Sequence, residues 1–228
     1  MQEIFEITED LMLNNLKIVQ DKRYYRFTSD SILLSRFASC KKGERVADFC
    51  AGSGIVGLHY YGLNMARVKS VTLFELQEEL CNLAKKSIAI NRLEDKFTLV
   101  QGKLQQADKS LNGSFSLVLC NPPYKKKDSG EQNLERHIAI CRHECEITQE
   151  EIIATAFRLL APGGRICICQ RIERLTDLIC DLRKYKLEPN RIVNVRTKNG
   201  DPYLVMIEAT KNKKPQLKVL KEIINGES

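Results

Sequence analysis

The sequence has no apolar run that approaches the length of a membrane-spanning helix. Its start, Met1 to Glu6, lacks the basic and apolar regions of a secretory signal peptide. Internal repeats and low-complexity stretches are also absent. These absences argue against a membrane, secreted or repeat protein, and we expect a cytoplasmic chain. The length of 228 residues predicts a domain over residues 41–228, preceded by an N-terminal extension over residues 1–40.

The nine cysteines lack the spacing of a disulfide framework or a zinc site. No Cys-x-x-Cys pair occurs, the count is odd, and no secretory signal accompanies it. His143 lies between Cys141 and Cys145, but no second cysteine pair is near enough in sequence to complete a zinc site. Cys167 and Cys169 alternate along a predicted strand and should point to the same side as small core residues. We therefore predict reduced thiols and no metal.

The charge of the chain is unevenly distributed. The net charge is 36 − 29 = +7. From Arg183 to Lys221 there are 11 basic and 3 acidic residues, a local excess of +8. A second cluster consists of Lys125, Lys126 and Lys127. Such clusters suit a polyanionic partner, because neutralised phosphates release counterions. The alternative is an ordinary lysine-rich surface.

Strand-like and helix-like segments alternate from about residue 45 onward. The predicted strands are 45–49, 69–75, 96–101, 115–120, 165–170, 191–197 and 203–210, and the predicted helices are 55–64, 77–92, 148–160 and 173–186. Thr148 and Glu151 form a capping-box pattern at the start of one of these helices. The alternation predicts an α/β fold with a seven-stranded, mostly parallel sheet that ends in an antiparallel hairpin. This pattern resembles the Rossmann-like fold of class I methyltransferases.

A glycine-rich turn follows the first predicted strand. Gly52 and Gly54 permit a sharp turn and close approach of a ligand to the backbone. Asp48 precedes these glycines, and Glu75 ends the second strand, where a carboxylate can accept both hydroxyls of a ribose. These two acids favour S-adenosylmethionine, while a nicotinamide or flavin site and a turn without a ligand are the alternatives. Gly57 fits either a ligand motif or a helix-packing position.

Asn121, Pro122, Pro123 and Tyr124 directly follow the fourth predicted strand. A planar amino nitrogen, as in adenine or a carboxamide, is a poor nucleophile because its lone pair is delocalised. The side-chain carbonyl of Asn121 and the backbone carbonyl of Pro122 can accept its two N–H bonds and direct the lone pair toward a methyl donor. Tyr124 offers a ring on which a flipped base can stack. A structural turn is the alternative.

With these motifs placed, the sequence resembles bacterial adenine-N6 methyltransferases that act on the adenine next to the anticodon of a valine tRNA. The resemblance covers nearly the whole chain. It rests on Phe27-Thr-Ser-Asp-Ser-Ile-Leu-Leu-Ser-Arg-Phe37, on 48–57 and 121–124, on Asn133 and Ala139-Ile-Cys-Arg-His-Glu144, and on 159–165 and 171–175. It implies S-adenosylmethionine as methyl donor and adenine-37 of a valine tRNA as substrate.

We predict two sets of contact residues, with an ordinary helix N-cap as the alternative for Thr28 and a polar loop or helix face at the mouth of the active site as the alternative for Arg142 and His143. The cofactor set is Thr28, Asp48, Ala51, Gly52, Gly54, Glu75, Leu76, Lys103, Leu104 and Asn121, and the RNA set is Lys125, Lys126, Lys127, Arg142 and His143. The chain departs from the family at Lys103, where many relatives carry an acidic residue. The loss of that carboxylate predicts either a lower cofactor affinity or a contact from a backbone amide at 103 or 104 instead.

The sequence leaves three other functions open. A glutamine methyltransferase acting on a release factor shares the Asn-Pro-Pro-Tyr motif, but such enzymes normally carry a substantial helical domain in front, and residues 1–40 are too few for one. A methyltransferase of a ribosomal RNA adenine is closer. The third is an RNA-binding assembly factor with a relict cofactor fold, against which Asp48, Gly52, Glu75 and Asn121 argue.

Overall fold

Strands and helices alternate from Glu44 onward in the predicted order. The computed structural model describes residues 5–24, 28–122 and 147–226. The strands are β1 (Glu6–Asp10), β2 (Lys17–Asp21), β3 (Glu44–Phe49), β4 (Val68–Glu75), β5 (Phe97–Gln101), β6 (Phe115–Cys120), β7 (Leu160–Arg171), β8 (Leu187–Thr197), β9 (Pro202–Lys211), β10 (Lys218–Val219) and β11 (Ile223–Asn225). The helices are α1 (Ser29–Phe37), α2 (Ile55–Leu63), α3 (Glu78–Ile90), α4 (Gln149–Leu159) and α5 (Leu175–Lys184).

The main sheet has the strand order β10-β8-β9-β7-β6-β3-β4-β5, and β11 also pairs with β8. Strands β3 to β7 run parallel, and β9 is antiparallel to both β7 and β8. The predicted fold class is confirmed. The strand count of seven is too low, because the described residues form a nine-stranded sheet. The two additional strands are only two and three residues long and lack a buried apolar pattern.

The two faces of the sheet carry separate apolar layers. Along β6, Leu117 and Leu119 pack with residues of α1, α2 and α3, whereas Val118 and Cys120 pack with residues of α4 and α5. Successive side chains of a strand point to opposite faces, so a strand covered on both sides must be apolar throughout. This explains why β6 is continuously apolar from Leu117 to Cys120.

Helix α4 begins at the predicted capping box. The Thr148 Oγ1 accepts the Glu151 amide at 3.2 Å, and the Glu151 Oε2 accepts the Thr148 amide at 2.8 Å. Two backbone donors that have no partner within the helix are thereby satisfied. The capping prediction is confirmed.

The hairpin of β1 and β2 lies against one face of α3. The Val19 amide donates to the Ser87 Oγ at 2.9 Å, and the Lys17 amide donates to the Asn91 Oδ1 at 2.9 Å. The Asn91 Nδ2 in turn donates to the Lys17 carbonyl at 2.6 Å. The side chains of Ser87 in α3 and of Asn91, directly after α3, therefore pair with backbone groups of β2.

Helix α1 is connected to the last strands of the sheet. The Asn225 Nδ2 donates to the Ser29 Oγ at 2.8 Å and to the Tyr203 hydroxyl at 2.7 Å. The Tyr203 hydroxyl donates to the Asp30 Oδ1 at 3.0 Å. These bonds join the first turn of α1 to β9 and β11.

A buried ion network lies near the amino end of β3. The Arg165 Nη2 is 2.6 Å from the Glu44 Oε2, and both side chains are inaccessible to solvent. Glu208 is close to the same guanidinium and also pairs with Arg191 at 3.0 Å. Glu44 and Glu208 compensate the charge of the Arg165 guanidinium, whose Nη2 also donates to the Ser39 carbonyl.

In the described part of the chain, no helix is long and apolar enough to cross a membrane.

Candidate active site

The carboxyl ends of β3, β4, β5 and β6 lie side by side at one edge of the sheet. Phe49 pairs with Phe74 on one side and with Cys120 on the other, and Glu75 pairs with Gln101. The chain runs from β3 outward to β5 and then returns to β6 on the opposite side of β3. Open α/β sheets bind ligands at such a reversal, just beyond the strand ends. The turns after these strands are therefore the candidate site.

The glycine-rich turn after β3 is fixed by backbone bonds. The Ala51 amide donates to the Phe74 carbonyl at 3.0 Å, and the Gly54 amide donates to the Ala51 carbonyl at 2.9 Å. Gly52 has φ +58° and Gly54 has φ +89°, conformations that favour glycine. A Cβ at Gly52 would meet no atom within 4 Å. The turn thus leaves an open approach to the backbone where a side chain would otherwise lie.

Glu75 accepts three backbone amides. Its Oε2 accepts the Gly52 amide at 2.8 Å, and its Oε1 accepts the Leu76 and Gln77 amides at 2.9 Å each. The side chain is 6% exposed, and burial raises the pKa of the carboxyl although the amides of Gln77, Gly52 and Leu76 oppose that shift. A carboxylate has about four acceptor positions. Glu75 can therefore hold the turn and still accept a ligand hydroxyl.

Asp48 lies beneath the turn, 1% exposed. Its Oδ2 accepts the Gly57 amide at 2.8 Å, while its Oδ1 has no hydrogen-bond partner among the described residues. Burial raises the pKa of Asp48 to about 7, and the nearby Glu75 charge adds to the effect while the Gly57 bond opposes it. A buried acceptor without a partner fits a bridging water or a polar ligand atom.

Gly57 packs helix α2 against the sheet. A Cβ there would lie 2.8 Å from the Leu73 Cδ2 and 3.1 Å from the Asp48 Oδ2. The first distance is shorter than real Cβ contacts and the second is tighter than most, so a side chain there would require Leu73 to shift or α2 to move away from β4. Of the two roles considered for Gly57, the structure favours the packing role.

The turn after β5 lies next to Glu75. The Gly102 amide donates to the Glu75 carbonyl at 2.9 Å. Lys103 is exposed, and Leu104 is buried in the apolar layer on the α4 side. The backbone amides of residues 103 and 104, which are candidates for contacting the cofactor, therefore lie in a turn that is hydrogen-bonded to the end of β4.

Asn121 follows β6 and is half-buried. The Asn121 Nδ2 donates to the Ser31 Oγ at 2.9 Å, and the Cys169 Sγ donates to the Asn121 Oδ1 at 3.0 Å. Pro122, the next residue, is buried. In the sequence, Ser31 stands out only as part of the segment 27–37 that carries the family resemblance, and Cys169 only as a small core residue. Their proximity to Asn121 has no local sequence signal.

Thr28 occupies the N-cap position of α1 and is exposed. Its side chain makes no capping hydrogen bond, but its carbonyl accepts the Ser31 amide at 3.1 Å. Because Ser31 contacts Asn121, the N-terminal turn of α1 belongs to the same site. The remaining predicted residues, Pro123, Tyr124, Lys125, Lys126, Lys127, Arg142 and His143, as well as Glu144, lie outside the described residues.

The described cysteines are free thiols. Cys40, Cys50, Cys81, Cys120, Cys167, Cys169 and Cys180 form no disulfide with one another. Burial raises the pKa of the Cys120 thiol well above its usual range and that of Cys81 to about 12, so both stay protonated. Within residues 5–24, 28–122 and 147–226, no three His, Cys, Asp or Glu side chains are grouped as a metal site requires.

Residues 28–179 match the family described as Methyltransferase small domain. The chain belongs to this family. The matched range begins at Thr28 and includes the turns after β3, β4, β5 and β6, so it contains every described residue of the candidate site. This methyltransferase also shares its fold with solved structures. A predicted O-methyltransferase from Agrobacterium tumefaciens superposes with a TM-score of 0.67 at 19% identity, covering 86% of this chain and 87% of that one.

A TYW2 protein from M. jannaschii, solved in complex with AdoMet, gives a TM-score of 0.61 at 11% identity over 92% of this chain and 87% of that one. Among curated proteins, a relative from Shewanella woodyi is 27% identical over 172 residues, 74% of this chain and 69% of the relative. One from Parabacteroides distasonis is 25% identical over 199 residues, 86% of this chain and 82% of the relative. Both relatives are named tRNA1(Val) (adenine(37)-N6)-methyltransferase. The family resemblance inferred from the sequence is confirmed.

Proposed function

We propose that this methyltransferase transfers a methyl group from S-adenosylmethionine to the N6 amino group of an adenine in RNA, adenine-37 of a valine tRNA. The observation that carries the proposal is the position of the Asn121 carboxamide, held at the end of β6 beside the turn that follows β3. The names of the relatives from two bacterial genera support adenine as the substrate. A glutamine of a release factor has no comparable support.

The residues around the β3 turn fit the cofactor. Gly52 leaves open space for a ligand, and Glu75 retains acceptor capacity for a ribose hydroxyl. Thr28 and the N-terminal turn of α1 suit a carboxylate, because helix N-termini attract anions. When bound, S-adenosylmethionine supplies an electrophilic methyl group on a sulfonium sulfur. The chain provides the hydrogen bonds that fix its orientation.

Asn121 and Pro122 act on the nucleophile. An adenine N6 has a delocalised lone pair, and accepting its two N–H bonds at the Asn121 Oδ1 and the Pro122 carbonyl favours a pyramidal nitrogen. Proline has no amide hydrogen and fixes the backbone, so its carbonyl direction is pre-set. The amino proton becomes acidic only after the nitrogen has become cationic, so no carboxylate base is needed beforehand. We assign stacking of the base to Tyr124.

A basic segment suits the RNA backbone. Lys213, Lys214, Lys218 and Lys221 are exposed, and no acidic residue occurs between 211 and 221. Each phosphate contact by a lysine contributes a salt-dependent increment to affinity. We assign these side chains, together with Lys125 to Lys127 and the Arg142–His143 pair, to the tRNA surface. A tRNA substrate also places the reaction in the cytoplasm.

Asn121→Ala tests the catalytic proposal directly. We expect turnover on tRNA to fall by about 10²- to 10³-fold, since one preorganised acceptor at the reacting atom is lost. Binding of S-adenosylmethionine, measured by calorimetry, should stay near normal, because the variant leaves Gly52 and Glu75 intact. Unchanged turnover would overturn the role of Asn121.

The substrate is tested by mass spectrometry of modified nucleosides from a strain that lacks the gene. We expect N6-methyladenosine to disappear from position 37 of a valine tRNA and to return when the wild-type gene is supplied. Loss of the mark from ribosomal RNA, or loss of methylglutamine from a release factor with tRNA unchanged, would contradict the proposed substrate.

Salt titrations test the basic segment. Replacing Lys213, Lys214 and Lys218 by Gln should weaken tRNA binding and reduce the slope of log K against log salt by roughly 2 to 3. Lys41 and Lys42 are also exposed but lie next to the amino end of β3, five strands away from β10 in the order of the sheet. Their replacement by Gln serves as the matched control. An equal slope change in both variants would remove the basic segment from the interface.

A further inference from the structure

Both ends of the Asn121 carboxamide are engaged by side chains from other elements. Ser31 of α1 accepts its Nδ2 hydrogen at 2.9 Å, and Cys169 of β7 faces its Oδ1 at 3.0 Å. Ser31 is 1% exposed and Cys169 is 0% exposed. The carboxamide is therefore held between two buried groups on different elements.

The two contacts are not equivalent in what they specify. A serine hydroxyl can donate or accept, so Ser31 tolerates either end of a carboxamide. A thiol is a weak donor and an even weaker partner for an N–H group, so the oxygen is the better neighbour for the Cys169 Sγ. Rotation of the carboxamide by 180° would place the amino group against sulfur. The pair thus fixes both the plane of the group and which end carries the oxygen.

This orientation matters for the reaction assigned above. The Asn121 Oδ1 has two lone pairs, so accepting the thiol is compatible with accepting an N–H of the substrate. A donor in that position would instead repel the amino group. Preorganised geometry is a large part of catalysis, and a displacement of about 1 Å can reduce the rate about 10²-fold.

We propose that Ser31 and Cys169 are positioning residues that hold the Asn121 carboxamide in the orientation needed to accept an amino N–H of the substrate. This inference rests on the proposed methyl transfer. It assigns part of the site to α1, which precedes the sheet in sequence, and part to β7, on the far side of β6 from the β3 turn.

Neighbouring residues of the same type provide matched controls. Ser35 lies four residues after Ser31 on α1 and is also buried, but its Oγ contacts the Ile32 carbonyl and the His59 Nδ1. Cys167 lies two residues before Cys169 on the same face of β7, but its Sγ faces Glu208. Each control removes the same atoms from the same element without touching Asn121.

The kinetic test compares Ser31→Ala and Cys169→Ala with Ser35→Ala and Cys167→Ala. We expect the first two to lower kcat by about 10- to 100-fold with the KM for tRNA changed less than about 3-fold. The controls should keep the wild-type kcat. Cys169→Ser retains a donor and should recover most of the lost rate. A kcat reduced equally in all four variants, or at wild-type level in Ser31→Ala and Cys169→Ala, would overturn the proposal.

A double-mutant cycle separates positioning from general support of the fold. In an Asn121→Ala background, adding Ser31→Ala or Cys169→Ala should lower the residual turnover no further, because the group they position is gone. A further reduction of the same size as in the wild-type background would show that the two residues act through something other than Asn121.

An activity-independent measurement keeps this proposal distinct from the proposed function. In protein labelled with ¹⁵N-asparagine, the side-chain amide protons of Asn121 should exchange slowly with solvent. Exchange should accelerate about 10-fold or more in Ser31→Ala and in Cys169→Ala, but not in the two controls. A wild-type enzyme that fails to methylate tRNA overturns the proposed function alone, whereas unchanged exchange in both variants overturns the positioning role.

Discussion

Asp48 and His59 are both buried near α2, and burial shifts their pKa values in opposite directions. The pKa of Asp48 is raised to about 7 by burial, with a smaller contribution from the Glu75 charge and an opposing one from the Gly57 amide. The pKa of His59 is lowered to about 4 by burial, with a smaller contribution from Arg36. In both cases the interior favours the neutral form.

The two residues therefore contribute opposite pH dependences to stability. Between its unfolded value of 3.8 and about 7, Asp48 binds more protons in the folded state, so its contribution decreases as the pH rises. Between about 4 and its unfolded value of 6.5, His59 binds more protons in the unfolded state, so its contribution decreases as the pH falls. Between about pH 4 and pH 6.5, the contributions of Asp48 and His59 to the pH dependence of stability largely cancel.

In Asp48→Asn, the pH dependence of stability that His59 contributes should become measurable. The neutral amide keeps an acceptor for the Gly57 amide but does not titrate. Relative to wild type, the free energy of unfolding of the variant should rise by about 3 to 4 kcal/mol between pH 4 and pH 7, at about 1.4 kcal/mol per pKa unit. Urea denaturation at a series of pH values measures this difference.

The exposed Asp108 provides the control for that experiment. Its pKa is lowered by hydrogen bonds from Ser110. Asp108→Asn should therefore shift the relative stability in the opposite direction between pH 4 and pH 7, and only slightly. Parallel pH profiles for wild type and Asp48→Asn would show that Asp48 is ionised in the folded protein across this range.

At the scale of elements, the start of α4 is stabilised by hydrogen bonds between Thr148 and Glu151. Thr148→Ala removes the acceptor of the Glu151 amide and should lower the free energy of unfolding by about 1 kcal/mol. Thr176 is an exposed threonine in the first turn of α5 and serves as the control, since its replacement by Ala removes no cap. Thermal denaturation measures both. Equal stability of the two variants would mean that the capping box contributes nothing.

Elements with local signals could be predicted from the sequence. The capping box, the glycine turn after β3 and the apolar run of β6 each depend on residues close together in the chain. The sequence does not predict strands β10 and β11, because Lys218 and Val219 are exposed and carry no alternation that indicates a strand. The sequence predicts the start of helix α5 about two residues early, because Ile172–Arg174 forms a short 3₁₀ turn before it.

The candidate site was predictable only in part, for the same reason. Glu75 and Asn121 end strands whose order follows from the fold class, so their common edge could be inferred. Ser31 and Cys169 are 90 and 48 residues away from Asn121, and only the packed structure brings them to it. For Asp48 the sequence indicated the place but not the bond to Gly57, because burial beneath the turn depends on how α2 packs.

At the scale of the whole molecule, the carboxyl and amino edges of the sheet have different roles. The carboxyl edge carries the candidate site, whereas Glu44, at the start of β3, forms a buried ion pair with Arg165. Arg165 lowers the pKa of Glu44 against the opposing effect of burial. Removal of Glu44 leaves Glu208, at 3.7 Å, as the only carboxylate that pairs with Arg165 among the described residues, and breaking a buried ion pair typically costs about 3–5 kcal/mol.

Glu44→Gln should therefore lower the free energy of unfolding by about 3–5 kcal/mol while leaving S-adenosylmethionine affinity near normal below the melting transition. The exposed pair of Glu6 and Lys86 is the matched control, and Glu6→Gln should cost less than about 1 kcal/mol. Chemical denaturation and calorimetric titration measure the two quantities. A loss of affinity as large as the loss of stability would show that the edges are energetically coupled.

The bond between Ser29 and Asn225 has a consequence for how the protein is made. The two residues are 196 positions apart, so at a synthesis rate of about 5–20 residues per second Ser29 is made roughly 10 to 40 s before its partner. During that interval the nascent chain can form α1 and most of the sheet, but not the contact between the first turn of α1 and β11. The N-terminal turn of α1, which carries Thr28 and Ser31, is thus among the last parts of the protein to gain its tertiary contacts during translation.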